Sequence, residues 1–154
     1  MMKSSPFIGR SLARFMAVQG LYAMDVGQVS HRTVMEMMAM GQFGDGEEAH
    51  KLVAEDGVFF DRLLVGVMEE QARIDAALME MLPKAWPINR IDATLRALLR
   101  SAAYELMRMS DVPVATIIDE YVEIARDFFD GDEPKFVNGV LDGFAKARGL
   151  SRQG

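Results

Sequence analysis

Apolar residues recur along this chain at three- and four-residue intervals, and alternating β-branched runs are missing. The spacing predicts a helix over 9–25, with Leu12, Phe15, Met16, Gln19 and Tyr22 near one face. A short Met-rich helix follows over 31–40, carrying Val34, Met35 and Met38. A long helical stretch covers 55–82. Phe59, Leu63, Val67 and Ile74 mark one side of it, and Phe60, Leu64, Val67 and Met68 the neighbouring side. So wide a stripe belongs to a central helix packed on more than one side.

Pro83 stops that helix, and Lys84–Ile88 reads as a turn around Trp86-Pro87. Asn89 and Asp92 stand three apart before an apolar run, a spacing that suits reciprocal capping of a helix N-terminus. The helix over 92–109 carries Leu95, Leu98, Leu99, Ala102 and Leu106. After the turn Asp111-Val112-Pro113, the helix over 114–129 points Ile117, Ile118, Val122 and Ala125 inward. Asp119, Glu123, Asp127 and Asp130 form its acidic outer face. Asp132-Glu133-Pro134 opens the last helix by the same capping logic, with Phe136, Val137, Val140, Leu141 and Phe144 as its apolar stripe. Six helices joined by short connections predict an all-α compact domain of packed bundles. One domain is expected over 1–154, with its core in 10–144 and flexible ends at 1–8 and 149–154.

Composition narrows the chemistry. With 154 residues the chain can build a core without covalent staples, and it contains no cysteine. Disulfides, thiolate metal sites and cysteine nucleophiles are therefore excluded. The net charge of −6 argues on average against nucleic acid, whose phosphates need Lys and Arg. The average hides a pattern. Residues 1–24 hold Lys3, Arg10 and Arg14 and no acid, and residues 143–154 hold Lys146, Arg148 and Arg152 and no acid. The span between them is left at −12, an acidic body with two basic ends. No run reaches the ~18 apolar residues of a membrane span. Arg10 and Arg14 interrupt the N-terminal apolar stretch, so a first structural helix and a cytoplasmic location are expected rather than a signal peptide.

No constellation for catalysis, metal or cofactor assembles. His31 and His50 are the only histidines and stand in no metal-binding helix motif, so both are expected at solvent. The acidic pairs Glu47-Glu48, Glu69-Glu70 and Asp119-Glu120 are adjacent residues, which diverge by about 100° on a helix and suit a solvated face. The glycines of Gly41–Gly46 have the loose spacing of a phosphate loop but follow no strand, so they read as a flexible loop. The 13 methionines are expected mostly in the core, with an exposed minority on a partner-binding face.

Several segments, in order over residues 10–144, resemble one family. They are Ala17-Val18-Gln19-Gly20-Leu21-Tyr22, Phe60 to Val67, Ile88 to Asp92, Leu98-Leu99-Arg100 through Tyr104-Glu105-Leu106, Asp111-Val112-Pro113, and Glu120 to Ala125. Lys135-Phe136-Val137-Asn138-Gly139-Val140-Leu141-Asp142 is the most specific of them. Together they resemble the NusB transcription antitermination factors. The resemblance implies two three-helix bundles packed across each other, and a binding protein rather than an enzyme. It implies pairing with NusE, a small-subunit ribosomal protein. It also implies that the pair holds the single-stranded boxA segment of nascent ribosomal RNA on elongating RNA polymerase and suppresses premature termination.

Single-stranded RNA is held by stacking of bases on aromatics and by Lys and Arg at phosphates, and the residues permit this. Arg10 and Arg14 share a helix face and can both meet phosphates. Tyr22 lies two turns further on, with Gln19 as a hydrogen-bonding neighbour. Lys135 and Phe136 stand in the first turn of the last helix, whose free N–H groups attract anions, and Asn138 can read a base edge. Each has a plainer role open to it: core packing for Tyr22 and Phe136, a backbone hydrogen bond for Asn138, solvation for Lys135. For the basic NusE-type partner, charge complementarity points to Asp132, Glu133 and the acidic helix face.

The family's N-terminal motif is usually a dense arginine cluster, and here only Arg10 and Arg14 remain, with Phe15 where relatives often carry a charge. Weaker RNA binding by the isolated chain is the expected consequence, with a protein-interaction module of reduced RNA affinity as the alternative reading. Phe7, Ile8, Leu12 and Phe15 are expected to add exposed apolar surface that supports a homodimer.

Overall fold

The computed structural model describes residues 7–44 and 52–150. Residues 1–6 and 151–154 of the expected flexible ends, Asp45 and Gly46 of the glycine loop, Glu47-Glu48 and His50 lie outside the described residues. Six helices occur among the described residues: α1 (Gly9–Val26), α2 (His31–Ala39), α3 (Ala54–Met79), α4 (Ala93–Arg108), α5 (Val114–Phe128) and α6 (Glu133–Ala147). No strand accompanies them among those residues, as the periodicity predicts. None of the helices is long and apolar enough to cross a membrane. The chain divides into two compact units, residues 1–65 and 66–154, and the division falls inside α3.

The N-terminal unit is built by α1, α2 and the first part of α3. Gly20 is where they meet: a Cβ there would lie 3.0 Å from Val34 of α2 and 3.2 Å from Leu64 of α3. Leu12, Met16, Val18, Val34, Phe60, Leu63 and Leu64 fill the core around it. Ser30 caps α2, its hydroxyl accepting from the Thr33 N–H at 3.1 Å. His31 is not simply at solvent, because its Nε2 lies 2.5 Å from Asp61 Oδ1 on α3. Phe7, Leu12 and Phe15 are buried, and Phe7 stacks on Phe15 with centroids 4.9 Å apart. The expected exposed apolar patch is thereby reduced to Ile8, because the other three side chains gain more by covering one another than by facing water.

In the C-terminal unit α4, α5 and α6 pack on one another, with the α5–α6 contact the most extensive. Leu95, Leu98, Leu99, Ala102 and Leu106 are buried as predicted, but Arg100, Ser101 and Glu105 are buried with them. The enclosure is tolerated because each polar group has partners. Arg100 donates twice to Asp75, at 2.8 Å to each carboxylate oxygen. Tyr121 of α5 donates to Glu105 Oε2 at 2.6 Å, and its oxygen lies 2.7 Å from Ser101 Oγ. Arg108 clasps Glu70 of α3 at 2.5–3.0 Å. Hydrogen bonding from Arg108 holds the Glu70 carboxyl below its ordinary range, against the upward push of burial, and the charges of Arg108, Arg73 and Arg148 act in the same downward direction.

Two local expectations are corrected. Asn89 does not cap α4; Asp92 does so alone, accepting from Thr94 N–H at 2.8 Å and Leu95 N–H at 3.1 Å. A carboxylate one residue before the helix already reaches the first free donors, so no reciprocal partner is needed. Asp132 stands at the N-cap of α6 but makes no capping hydrogen bond. The methionines also depart from expectation. Among the described residues only Met16 and Met109 are buried, while Met40, Met68 and Met79 are exposed. Leu, Ile, Phe and Ala fill the interior, leaving the unbranched thioethers at its margins.

Candidate nucleic-acid interface

In the N-terminal unit, α1 presents the first group of candidate residues. Arg10 and Arg14 both lie against the Phe59 ring of α3, with guanidinium carbons 4.5 and 5.1 Å from its centroid. One aromatic ring thus positions two cations. They are not equivalent, because Arg10 is exposed and Arg14 is only 3% exposed. The expectation that both meet phosphates is corrected at Arg14, whose helix position falls among the buried Ala13, Phe15, Ala17 and Val18. Gln19 sits about 180° around the helix from Arg10. Its Oε1 accepts from the Gly44 N–H at 2.6 Å, fastening the loop after α2 rather than standing beside Tyr22 as a free hydrogen-bonding group. Tyr22 is 40% exposed, which removes the core role left open to it.

In the C-terminal unit the second group surrounds the start of α6. Two grooves flank it. The larger, about 960 Å³, is lined by Asp119, Glu123, Arg126, Asp130, Asp132, Lys135 and Asn138 among others. The acidic face of α5 forms much of its wall, so this groove is predominantly anionic. The smaller, about 480 Å³, is lined by Trp86, Arg90, Ile91, Asp92, Leu95, Asp132, Glu133 and Phe136. Asp132 borders both. Lys135 and Asn138 are exposed to the larger groove, while Phe136 and Glu133 face the smaller.

Phe136 is half-buried rather than core, and Trp86 meets it edge-on with centroids 6.0 Å apart. Trp86 is 56% exposed. The two rings form an aromatic wall with a free face, beside the Arg90 cation. Glu133 Oε1 is enclosed and has no hydrogen-bond partner among the described residues. Neither Trp86 nor Arg90 is among the candidate site residues read from the sequence, although Arg90 lies in the Ile88–Asp92 motif. The available signal was a tryptophan in a turn bounded by Pro83 and Pro87, where no core is at hand to bury it.

Comparison with known proteins gives this arrangement its family. The family model for the NusB family matches residues 11–146. The transcription antitermination protein NusB of Caulobacter vibrioides is 44% identical over 137 residues, covering 89% of this chain and 92% of that protein. The solved structure of T. maritima NusB superposes with a TM-score of 0.74 at 28% identity, covering 94% of this chain and 93% of that one. A structure of antitermination factors NusB and NusE in complex with dsRNA shares the fold, with a TM-score of 0.76 at 22% identity, covering 90% of this chain and 96% of that one. The match takes in α1 from Ser11 onward, with Gln19 and Tyr22, and the Lys135–Asn138 turn of α6, while Arg10 lies just before it, and on that span this chain belongs to the NusB family.

Proposed function

We propose that this chain is a non-enzymatic, cytoplasmic antitermination subunit that acts as one functional domain. It pairs with a NusE-type ribosomal protein and binds boxA-type single-stranded RNA in nascent ribosomal transcripts, joining the RNA polymerase antitermination complex. The observation that carries this reading is the exposed surface at the start of α6. Lys135 supplies charge, Asn138 amide donors and acceptors, and the Trp86–Phe136 pair a stacking wall. Arg10, held by Phe59, and the exposed Tyr22 supply the same chemistry on α1. Arg14 acts here as a positioning residue, packing the Phe59 ring from within.

The acidic α5 wall of the larger groove, with Asp119, Glu123 and Asp130, together with Asp132 and Glu133, is the surface we assign to the basic protein partner, and Lys135 and Asn138 on its α6 rim are left to RNA. Anionic walls of this kind repel RNA and attract a basic ribosomal protein. With Arg14 buried, Arg10 is left as the exposed arginine of α1, and the free chain holds RNA modestly.

Titration of boxA RNA at two salt concentrations, with and without NusE, tests this. Salt-sensitive binding that strengthens on adding NusE is expected, and Arg10→Ala should flatten the salt dependence by about 0.7 in log–log slope. Absence of RNA binding in both arms, with NusE still captured, would replace the reading by the alternative of a protein-interaction module with lost RNA affinity.

A further inference from the structure

The acid-free C-terminal segment that the charge pattern isolates has no part in the interface described above. Arg148, the C-cap of α6, stands within electrostatic reach of Glu70, on which two arginines of the C-terminal unit converge. Arg108 from the end of α4 and Arg73 from within α3 converge on one carboxylate, Glu70. Arg108 takes both its oxygens, whereas Arg73 reaches it only at 3.4 Å and is 68% exposed. Arg148 lies over the Phe144 ring at 5.7 Å, and its charge is also felt at Glu70. Among the described residues Arg148 makes no ion pair. One negative charge thus meets three positive ones, an excess of two on an otherwise acidic body.

A cation at a helix C-terminus has an ordinary use in offsetting the macrodipole, which accounts for a positive charge at Arg108 and at Arg148. Arg73 stands inside α3, where its ordinary use is the i,i+3 pair with Glu70, a 3.4 Å contact that leaves the guanidinium largely at solvent. The macrodipole does not account for the planar guanidinium of Arg148 lying over a ring, a geometry that restrains the group instead of leaving it to sweep through solvent. Arg108 and Arg148, restrained by a carboxylate and a ring, together with the exposed Arg73, present surplus charge that matches the oxygens of phosphodiesters.

The cluster sits at the opposite end of α6 from Lys135 and Phe136, about 20 Å along the helix at about 1.5 Å per residue. We propose that Arg73, Arg108 and Arg148 form an accessory phosphate site that holds the backbone of the same RNA strand beyond the boxA segment, without reading its sequence. This rests on the RNA-binding reading above for the identity of the strand. The site's role is to lengthen the footprint and add affinity that depends on RNA length and salt but not on base identity.

The test uses the full chain with NusE and the double variant Arg73→Gln/Arg148→Gln. Three RNAs are titrated over a range of salt: boxA alone, boxA extended by roughly ten nucleotides on either side, and oligouridine of the extended length. A control variant, Arg32→Gln/Arg62→Gln, removes equal charge from exposed positions elsewhere. The extended RNA is expected to bind wild type more tightly than boxA alone. The Arg73/Arg148 variant should lose that gain, and its salt slope should fall by about 1.4, two single-strand phosphate contacts. Its binding of boxA alone should match wild type, and the control should behave as wild type throughout.

If the Arg73/Arg148 variant and wild type bind extended RNA and oligouridine with equal slopes, or if the control loses as much, the accessory site is overturned. If boxA binds no better than oligouridine while oligouridine binding still falls in the Arg73/Arg148 variant, the site stands and the boxA reading fails. Circular dichroism of both variants keeps loss of folding separate from loss of contact.

Discussion

Gly66 has no room for a side chain. A Cβ there would stand 2.2 Å from Cζ and 2.3 Å from Cε1 of the buried Tyr104 ring, far inside contact distance. Gly66→Ala should therefore destabilise the protein by about 1–3 kcal/mol in urea unfolding, because the ring has no empty space to enter. Combining it with Tyr104→Leu should recover part of the loss, the signature of coupling between touching residues. The buried hydroxyl of Tyr121 is a second such point, since it serves both Glu105 and Ser101. Tyr121→Phe should cost about 1–3 kcal/mol by the same measurement, since two enclosed polar groups each lose a partner and water cannot replace it. Neither cost is readable from the periodicity. Position 66 looks like any small residue on a helix, and Ser101 and Glu105 read as polar residues bound for solvent.

At the scale of helices, the two aspartates preceding α4 and α6 look alike in sequence and act differently. Asp92 satisfies two N–H groups of α4, so Asp92→Ala should lower stability by about 1 kcal/mol. Asp132 makes no capping bond, and Asp132→Ala should leave the unfolding midpoint within about 0.5 kcal/mol of wild type. Equal losses in the two variants would contradict the assignment. The tie between α3 and α4 through Glu70 and Arg108 carries a pH dependence. The folded-state pKa of Glu70 is depressed, chiefly by the Arg108 hydrogen bond. Its contribution to stability is complete above the ordinary carboxylate range and disappears as pH falls through the depressed value. Glu70→Gln should thus lower the thermal midpoint at neutral pH and show no difference from wild type once Glu70 is protonated. A constant difference down to low pH would show that the pairing is not the source.

For the whole molecule, charge decides how partners arrive. The chain carries −6, and its acids concentrate between residues 25 and 142. A basic protein partner is drawn to such a body and RNA is not. Asp132→Asn/Glu133→Gln should slow NusE association by about threefold or more at low salt while leaving dissociation nearly unchanged, the pattern of rim charges. Stopped-flow or surface-binding kinetics at two ionic strengths would measure this. An effect confined to dissociation would move these residues from steering to direct contact.

Helix number, helix order and most of the apolar stripe were determined by the sequence alone. Helical periodicity is a local property, and residues such as Leu63, Leu98 and Val137 have one environment that suits them. The segment Lys135–Asp142 carried the family resemblance most specifically, and the expectation of a binding surface at the start of the last helix came with that resemblance. Tertiary structure alone decided which of two neighbouring arginines faces solvent. Arg10 and Arg14 share a helix face, and only the position of Phe59 relative to them buries one and displays the other. It alone set Trp86 against Phe136 across fifty residues of chain, and brought Arg108 of α4 onto Glu70 of α3. Side-chain type follows from local pattern, whereas partnership depends on where distant segments meet, which no single segment encodes.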